Sequence, residues 1–160
     1  PFELHPQIRS TEACVKSSTL AIDLANRFGI RLHVLHISTA EEVAAFASGP
    51  ITRKQITAEA CVHFLHFSSD DYAQKGALIK CNPTIKTPAD RDAIISGLLE
   101  DRLDLIGTDH APHTLEEKHN SYFNAPSGLP LVQYALLAVL EHYHTGRFSL
   151  PFIAHKPATL

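Results

Sequence analysis

Residues 105–114 read LIGTDHAPHT. A short apolar run meets Gly107, and then Asp109, His110 and His113 crowd around Pro112. Ionisable side chains at the end of a β-rich run are where a parallel α/β fold gathers its chemistry, because all its strands end on one side. Three more β-rich runs lie upstream: 31–37 (RLHVLHI), 54–62 (KQITAEACV) and 77–81 (ALIKC), with 103–107 (LDLIG) as the fourth. Each leads into a polar group able to bind a metal or a substrate. His36 closes the first run, His63 the second, Asn82 follows the third and Asp109 the fourth.

Helical signals separate these runs. Residues 10–28 carry Ser10 or Thr11 as a cap, and Gly29 is suited to a left-handed stop. Ser38 and Glu41 read as a capping box opening EEVAAFA, which Gly49-Pro50 ends. Thr87 caps a helix that runs to about Glu100, with Pro88 in its first turn and Asp90 at the positive end of its dipole. A polar loop spans 111–129, and a long apolar helix spans 130–144 before Gly146. Strands alternating with helices predict parallel βαβ units, closing into a (β/α)8 barrel or spreading into a doubly wound sheet. No Gly-rich phosphate fingerprint follows any strand, which weakens the dinucleotide-binding form. Four strands are half a barrel, and a whole one takes about 250 residues. The 160 residues therefore read as a single partial domain, 1–160.

Composition narrows the function. The net charge is −3 with both signs mixed, which points away from nucleic acid and membrane surfaces. No apolar run suffices to span a bilayer, and the chain does not open on a signal peptide. Cys14, Cys61 and Cys81 are widely spaced, fit free thiols in a reducing compartment, and imply a cytoplasmic location. The 11 histidines are an excess, and histidine is the commonest metal ligand.

Parity selects among them. His33 and His36 are three apart and face opposite sides of a strand, as do His63 and His66. His36 is preferred because it abuts a helix start. Taken singly, a histidine near a strand end is more often a hydrogen-bonded rim residue, Asn82 before Pro83 a turn former, and Asp109 a loop cap. Their recurrence at four strand ends is the stronger signal. His142 and His144 form an H-x-H, but on a helix they diverge by about 200°. They read as exposed residues of the last turn, favourable to the dipole.

GTDHAPHT resembles the signature of the dihydroorotases, cyclic amidases of the amidohydrolase superfamily. RLHVLHIST resembles their fifth-strand segment, ITAEACVHFL the sixth, KCNPTIKTPADRDAI the seventh and DLIGTDHAPHTLEEK the eighth. APSGLPLVQYAL resembles the substrate-facing loop and helix that follow. HKPA at 155–158 resembles the N-P-A of the closing helix, with Lys156 in place of Asn. The resemblance implies strands 5–8 of a (β/α)8 barrel with a binuclear Zn2+ site at its mouth. It implies His36 and His63 as ligands of one zinc, and Asp109 as a ligand of the other and the proton shuttle. Asn82 and His113 would hold the substrate, with backbone groups of Ser127, Gly128 and Leu129 at the ring amide. The implied reaction interconverts N-carbamoyl-L-aspartate and dihydroorotate in pyrimidine biosynthesis. A homodimer is an open expectation. His110 is assigned supporting work.

The sequence also departs from that pattern. The family's first strand carries H-x-H-x-R, and a metal-bridging acidic or carboxylated residue precedes its fifth strand; neither occurs here. Phe64 follows His63 where many relatives have a second His, and Pro83-Thr84 stands where many have Pro-Pro. The expectation is the C-terminal half of such an enzyme, inactive by itself. The alternatives are a sister cyclic amidase (an allantoinase or dihydropyrimidinase), or a non-catalytic scaffold of the same fold.

Overall fold

The structure, a computed structural model, describes residues 1–156. Its elements run α1 His5–Ile8, α2 Thr11–Phe28, β1 Leu32–Val34, α3 Ala40–Ala44, β2 Ile56–Cys61, α4 Val62–His66, α5 Tyr72–Lys75, α6 Pro88–Leu99, β3 Leu105–Gly107, α7 Leu115–Lys118, α8 Ala135–His144 and α9 Leu150–His155. Pro157 and Ala158, which complete the expected closing-helix motif, lie outside the described residues.

The strands form one open parallel sheet in the order β1-β2-β3. Leu32 faces Ile56 in one pair, and Cys61 faces Gly107 in the other. The α/β class matches the expectation; the strand count does not. Of the four expected strands, 77–81 is instead a 3-10 turn, Gly76–Ile79, leading into an unladdered stretch. The cause lies in where its backbone groups go. The Lys80 carbonyl accepts from Gly128 N at 2.9 Å, and the Cys81 carbonyl accepts from the His5 ring at 2.9 Å. Loop and side-chain partners thus take bonds that a ladder would need.

Helix ends follow local chemistry. Ser10 caps α2 by accepting from Ala13 N, and Gly29, at φ 65°, ends it in the left-handed region. Thr87 and Asp90 close a reciprocal capping box on α6. The expected box on α3 is replaced by a simple cap one residue on: Thr39, not Ser38, caps the helix, and its hydroxyl pairs with Glu42, not Glu41. Glu42 is buried and also accepts from Ser18 Oγ at 2.6 Å, so tertiary contact selected it over its exposed neighbour.

The helix-facing side of β2 presents Ala58 and Ala60, both fully buried, and the small side chains let helices pack closely. Gly97 on α6 shows the same tightness, since a Cβ there would lie 2.6 Å from Val43 Cγ1. Ile37, Phe64, Leu65, Ile94, Leu98 and Leu103 fill the core between. At the opposite rim from the strand ends, Lys54 pairs with buried Asp104 at 2.7 Å, and Asp104 also accepts from Ala58 N. Lys156 donates to the Leu103 carbonyl at 2.7 Å, while its own carbonyl accepts from Ile106 N of β3. His142 is buried against Phe148, contrary to the exposed position expected of it, while His144 is exposed. The apolar segment after the α8 helix folds back over it and covers the His142 ring. No helix of the described residues is long and apolar enough to cross a membrane.

Candidate active site at the strand ends

Beyond each strand the backbone turns sharply. Among the described residues, three non-glycine positions have positive φ: His36 at 44°, Asp101 at 55° and Asp109 at 45°. Two of these are site residues expected from sequence, and each follows a strand. A non-glycine residue in this region carries strain that surrounding structure has to hold in place. The kink at His36 also ends strict alternation, because Ile37 N resumes pairing with the Glu59 carbonyl at 2.9 Å. Strand parity therefore does not set the direction of His36.

His33 turns to another use. Its ring bonds Thr57 Oγ1 at 2.8 Å and lies 3.4 Å from Glu59 Oε2, on the open face of the sheet. His63 likewise escapes parity, for a different reason. It sits in the first turn of α4 rather than on β2, so His63 and His66 are helical neighbours. Both line one apolar cavity of about 280 Å³ with Leu129, Leu131 and Tyr134.

The His63 ring is the least satisfied group in the core. It is 1% exposed, and neither Nδ1 nor Nε2 has a hydrogen-bond partner. Burial, and then the nearby charge of His36, push its pKa down to about 3. The imidazole is thus neutral at physiological pH, the form that donates a lone pair to a metal. The same interaction puts His36 near His63. Asp109 is exposed, and its charge reaches the buried Cys61 and Cys81 thiols, with burial the larger cause of their raised pKa values. Cys61 lies two residues before His63, and Cys81 adjoins Asn82. Among the described residues, no three His, Cys, Asp or Glu side chains gather into a metal cluster. The donor chemistry of His63 fits a divalent metal; the expected zinc ligands are not a ready-made triad.

The residues expected to hold substrate form one hydrogen-bonded group. Asn82 Nδ2 donates to Ser127 Oγ at 3.0 Å, and His113 Nε2 lies 3.2 Å from the Ser127 carbonyl. Leu129 bridges to His110, and its carbonyl accepts from Ala111 N at 3.1 Å. His110 accepts from Val132 N at 3.0 Å, in line with its expected supporting role. Gly128 sits at φ 140°, and a Cβ there would lie 2.5 Å from the Ala111 carbonyl oxygen, so only glycine fits. A second cavity, about 510 Å³, takes His36, Asn82, Arg9 and Cys14 into its lining.

Sequence reasoning missed two lysines under this loop. Lys80 donates to the Tyr122 and Ala125 carbonyls, and Lys118 to those of Lys80, Pro126 and Gly128. The available signal was the run TLEEK: Thr114 and Glu117 form a capping box, which fixes where the next residue points.

Comparison with known proteins gives these features a context. No family model matches the chain. The dihydroorotase of Enterococcus faecalis is 38% identical over 144 residues, covering 87% of this chain and 34% of that protein. Among solved structures, L-hydantoinase (dihydropyrimidinase) from Arthrobacter aurescens aligns with a TM-score of 0.81 at 23% identity, over 89% of this chain and 32% of that one. Dihydroorotase from Saccharomyces cerevisiae, in complex with 5-fluoroorotic acid, aligns at 0.77 with 19% identity, over 91% of this chain and 40% of that one. These two likenesses show a shared α/β fold. The chain spans about a third of the length of the curated relatives it matches, and over that third it matches the dihydroorotases of the amidohydrolase superfamily.

Proposed function

We propose that residues 1–160 are one partial domain, about strands 5–8 of a (β/α)8 barrel, from a zinc-dependent enzyme interconverting N-carbamoyl-L-aspartate and dihydroorotate. The observation that carries this reading is the buried His63 imidazole, neutral and unpartnered beside His36. An orphaned pair of ring nitrogens in a core costs stability, and such groups call for a functional explanation. The match to dihydroorotases supports the choice of ring.

His36 and His63 would hold one zinc, and Asp109 a second. Zinc held there would acidify the attacking water near neutral pH and stabilise negative charge on the amide oxygen. The Asp109 carboxylate takes a proton from the attacking water and returns it to the ring nitrogen as the carbon–nitrogen bond breaks. The left-handed backbone at Asp109, just beyond β3, supports a side chain turned out of the strand line for that transfer. His113 and Asn82 bind the substrate carboxylate, since both already converge on Ser127. Backbone groups of Ser127, Gly128 and Leu129 orient the ring amide.

The second reading is a sister cyclic amidase, favoured by the fold likeness to a hydantoinase. Turnover of carbamoyl-aspartate, allantoin and dihydrouracil by the full-length polypeptide separates the two. Preference for carbamoyl-aspartate supports the first reading, and preference for either other ring overturns it. A full-length protein with no zinc and no turnover would instead be a scaffold.

A further inference from the structure

Lys118 is an unusual lysine. It is 4% exposed, at the end of α7, and among the described residues no carboxylate lies within ion-pair distance of it. A buried cation without a counter-charge is costly unless other polar groups solvate it. Here three carbonyl oxygens do so: Lys80 at 3.2 Å, Pro126 at 3.0 Å and Gly128 at 3.0 Å. An ammonium has three N–H donors and no acceptor, so the cage matches its full complement. Burial lowers the pKa of Lys118 to about 8, yet the three acceptors select the charged form.

The direction of those carbonyls determines the rest. In a planar trans peptide the carbonyl and the next N–H point opposite ways. With the Pro126 carbonyl turned to the ammonium, the Ser127 N–H turns away from it. With the Gly128 carbonyl turned there too, the Leu129 N–H turns away, toward the segment at His110 with which Leu129 bridges. The peptide between them alternates correctly: the Ser127 carbonyl meets His113, and Gly128 N meets the Lys80 carbonyl. Lys80 secures the entrance of the loop in the same manner, at the Tyr122 and Ala125 carbonyls.

We infer that Lys118 is a positioning residue: its ammonium gathers the carbonyls of residues 126 and 128 and thereby presents the Ser127 amide to the substrate ring, with the Leu129 amide turned to the segment at His110. The inference rests on the proposed cyclic-amidase reading for the identity of what that amide meets. The loop geometry stands independently of it.

The test uses the full-length polypeptide and has three arms. In the wild type, Lys118 should acetylate with acetic anhydride at least about tenfold more slowly than Lys16, whose side chain is 77% exposed. In Lys118→Met, the amides of Ser127, Gly128 and Leu129 should exchange with deuterium about tenfold faster, as expected on losing such hydrogen bonds, with β2 unchanged. The same variant should raise the KM for dihydroorotate by a larger factor than it lowers kcat. Equal acetylation of Lys118 and Lys16 overturns the inference, even if the methionine variant does not fold. Unchanged exchange in the loop of a folded variant also overturns it. A loosened loop with unchanged KM for dihydroorotate would overturn the positioning role and leave the functional reading standing, whereas no turnover of dihydroorotate by the wild type would overturn that reading.

Discussion

At the scale of single residues, the proposed site divides into side chains that would bind and one that would move a proton. Asp109→Asn keeps the shape and removes the basic oxygen. In the full-length enzyme it should lower kcat about a hundredfold or more while the fold persists by circular dichroism. Near-normal kcat would remove Asp109 from the mechanism. His113→Ala should act on binding: the KM for dihydroorotate rises about tenfold or more with a smaller change in kcat, as for loss of a hydrogen bond to a charged group. An unchanged KM would contradict that role. Their place after β-rich runs was legible in the sequence, but their directions were not. Strand parity assumed that His36 and His63 sit on strands. One sits at a left-handed kink and the other in a helix, and local backbone conformation decides where each ring points.

At the scale of elements, capping chemistry was the most readable part of the chain. Ser10, Gly29, Thr87, Pro88 and Asp90 all act where their local signals place them. The failures came where tertiary partners outbid local pattern. The run ALIKC has strand-like composition, but its carbonyls are claimed by the 128 loop, by Lys118 and by His5. Nothing within five residues could reveal those partners. Gly97 is a further case, since a helical glycine costs stability locally and earns its place only through the close approach of Val43. Gly97→Ala should therefore destabilise the protein by about 1–3 kcal/mol in urea unfolding, despite alanine's better helix propensity. A stabilised variant would show that α3 and α6 are not in close contact.

At the scale of the whole molecule, burial of imidazoles ties stability to pH. His5, His63 and His142 all have lowered pKa values, chiefly from desolvation, with His63 at about 3. Unfolded, each would titrate near 6.5, so below that pH the unfolded chain binds protons that the folded chain does not. Stability is then fully present above about pH 6.5 and declines as pH falls toward the folded values, by up to about 1.4 kcal/mol per pH unit for each group. Urea midpoints measured from pH 7.5 to 5 should fall steadily, and a flat profile would mean that these rings are solvated. The alternation of strands and helices made the α/β class readable. The sheet stays open, and α2 leaves the apolar stripe Leu20, Leu24 and Phe28 exposed.

The claim on which the functional reading turns is that the neutral ring of His63 is a metal ligand. Elemental analysis of the full-length protein and its His63→Ala variant, purified alike and both shown to be folded, tests it most directly. A binuclear zinc complement in the wild type and a clear loss of zinc in the variant are expected; equal zinc in both, or none in the wild type, would contradict it.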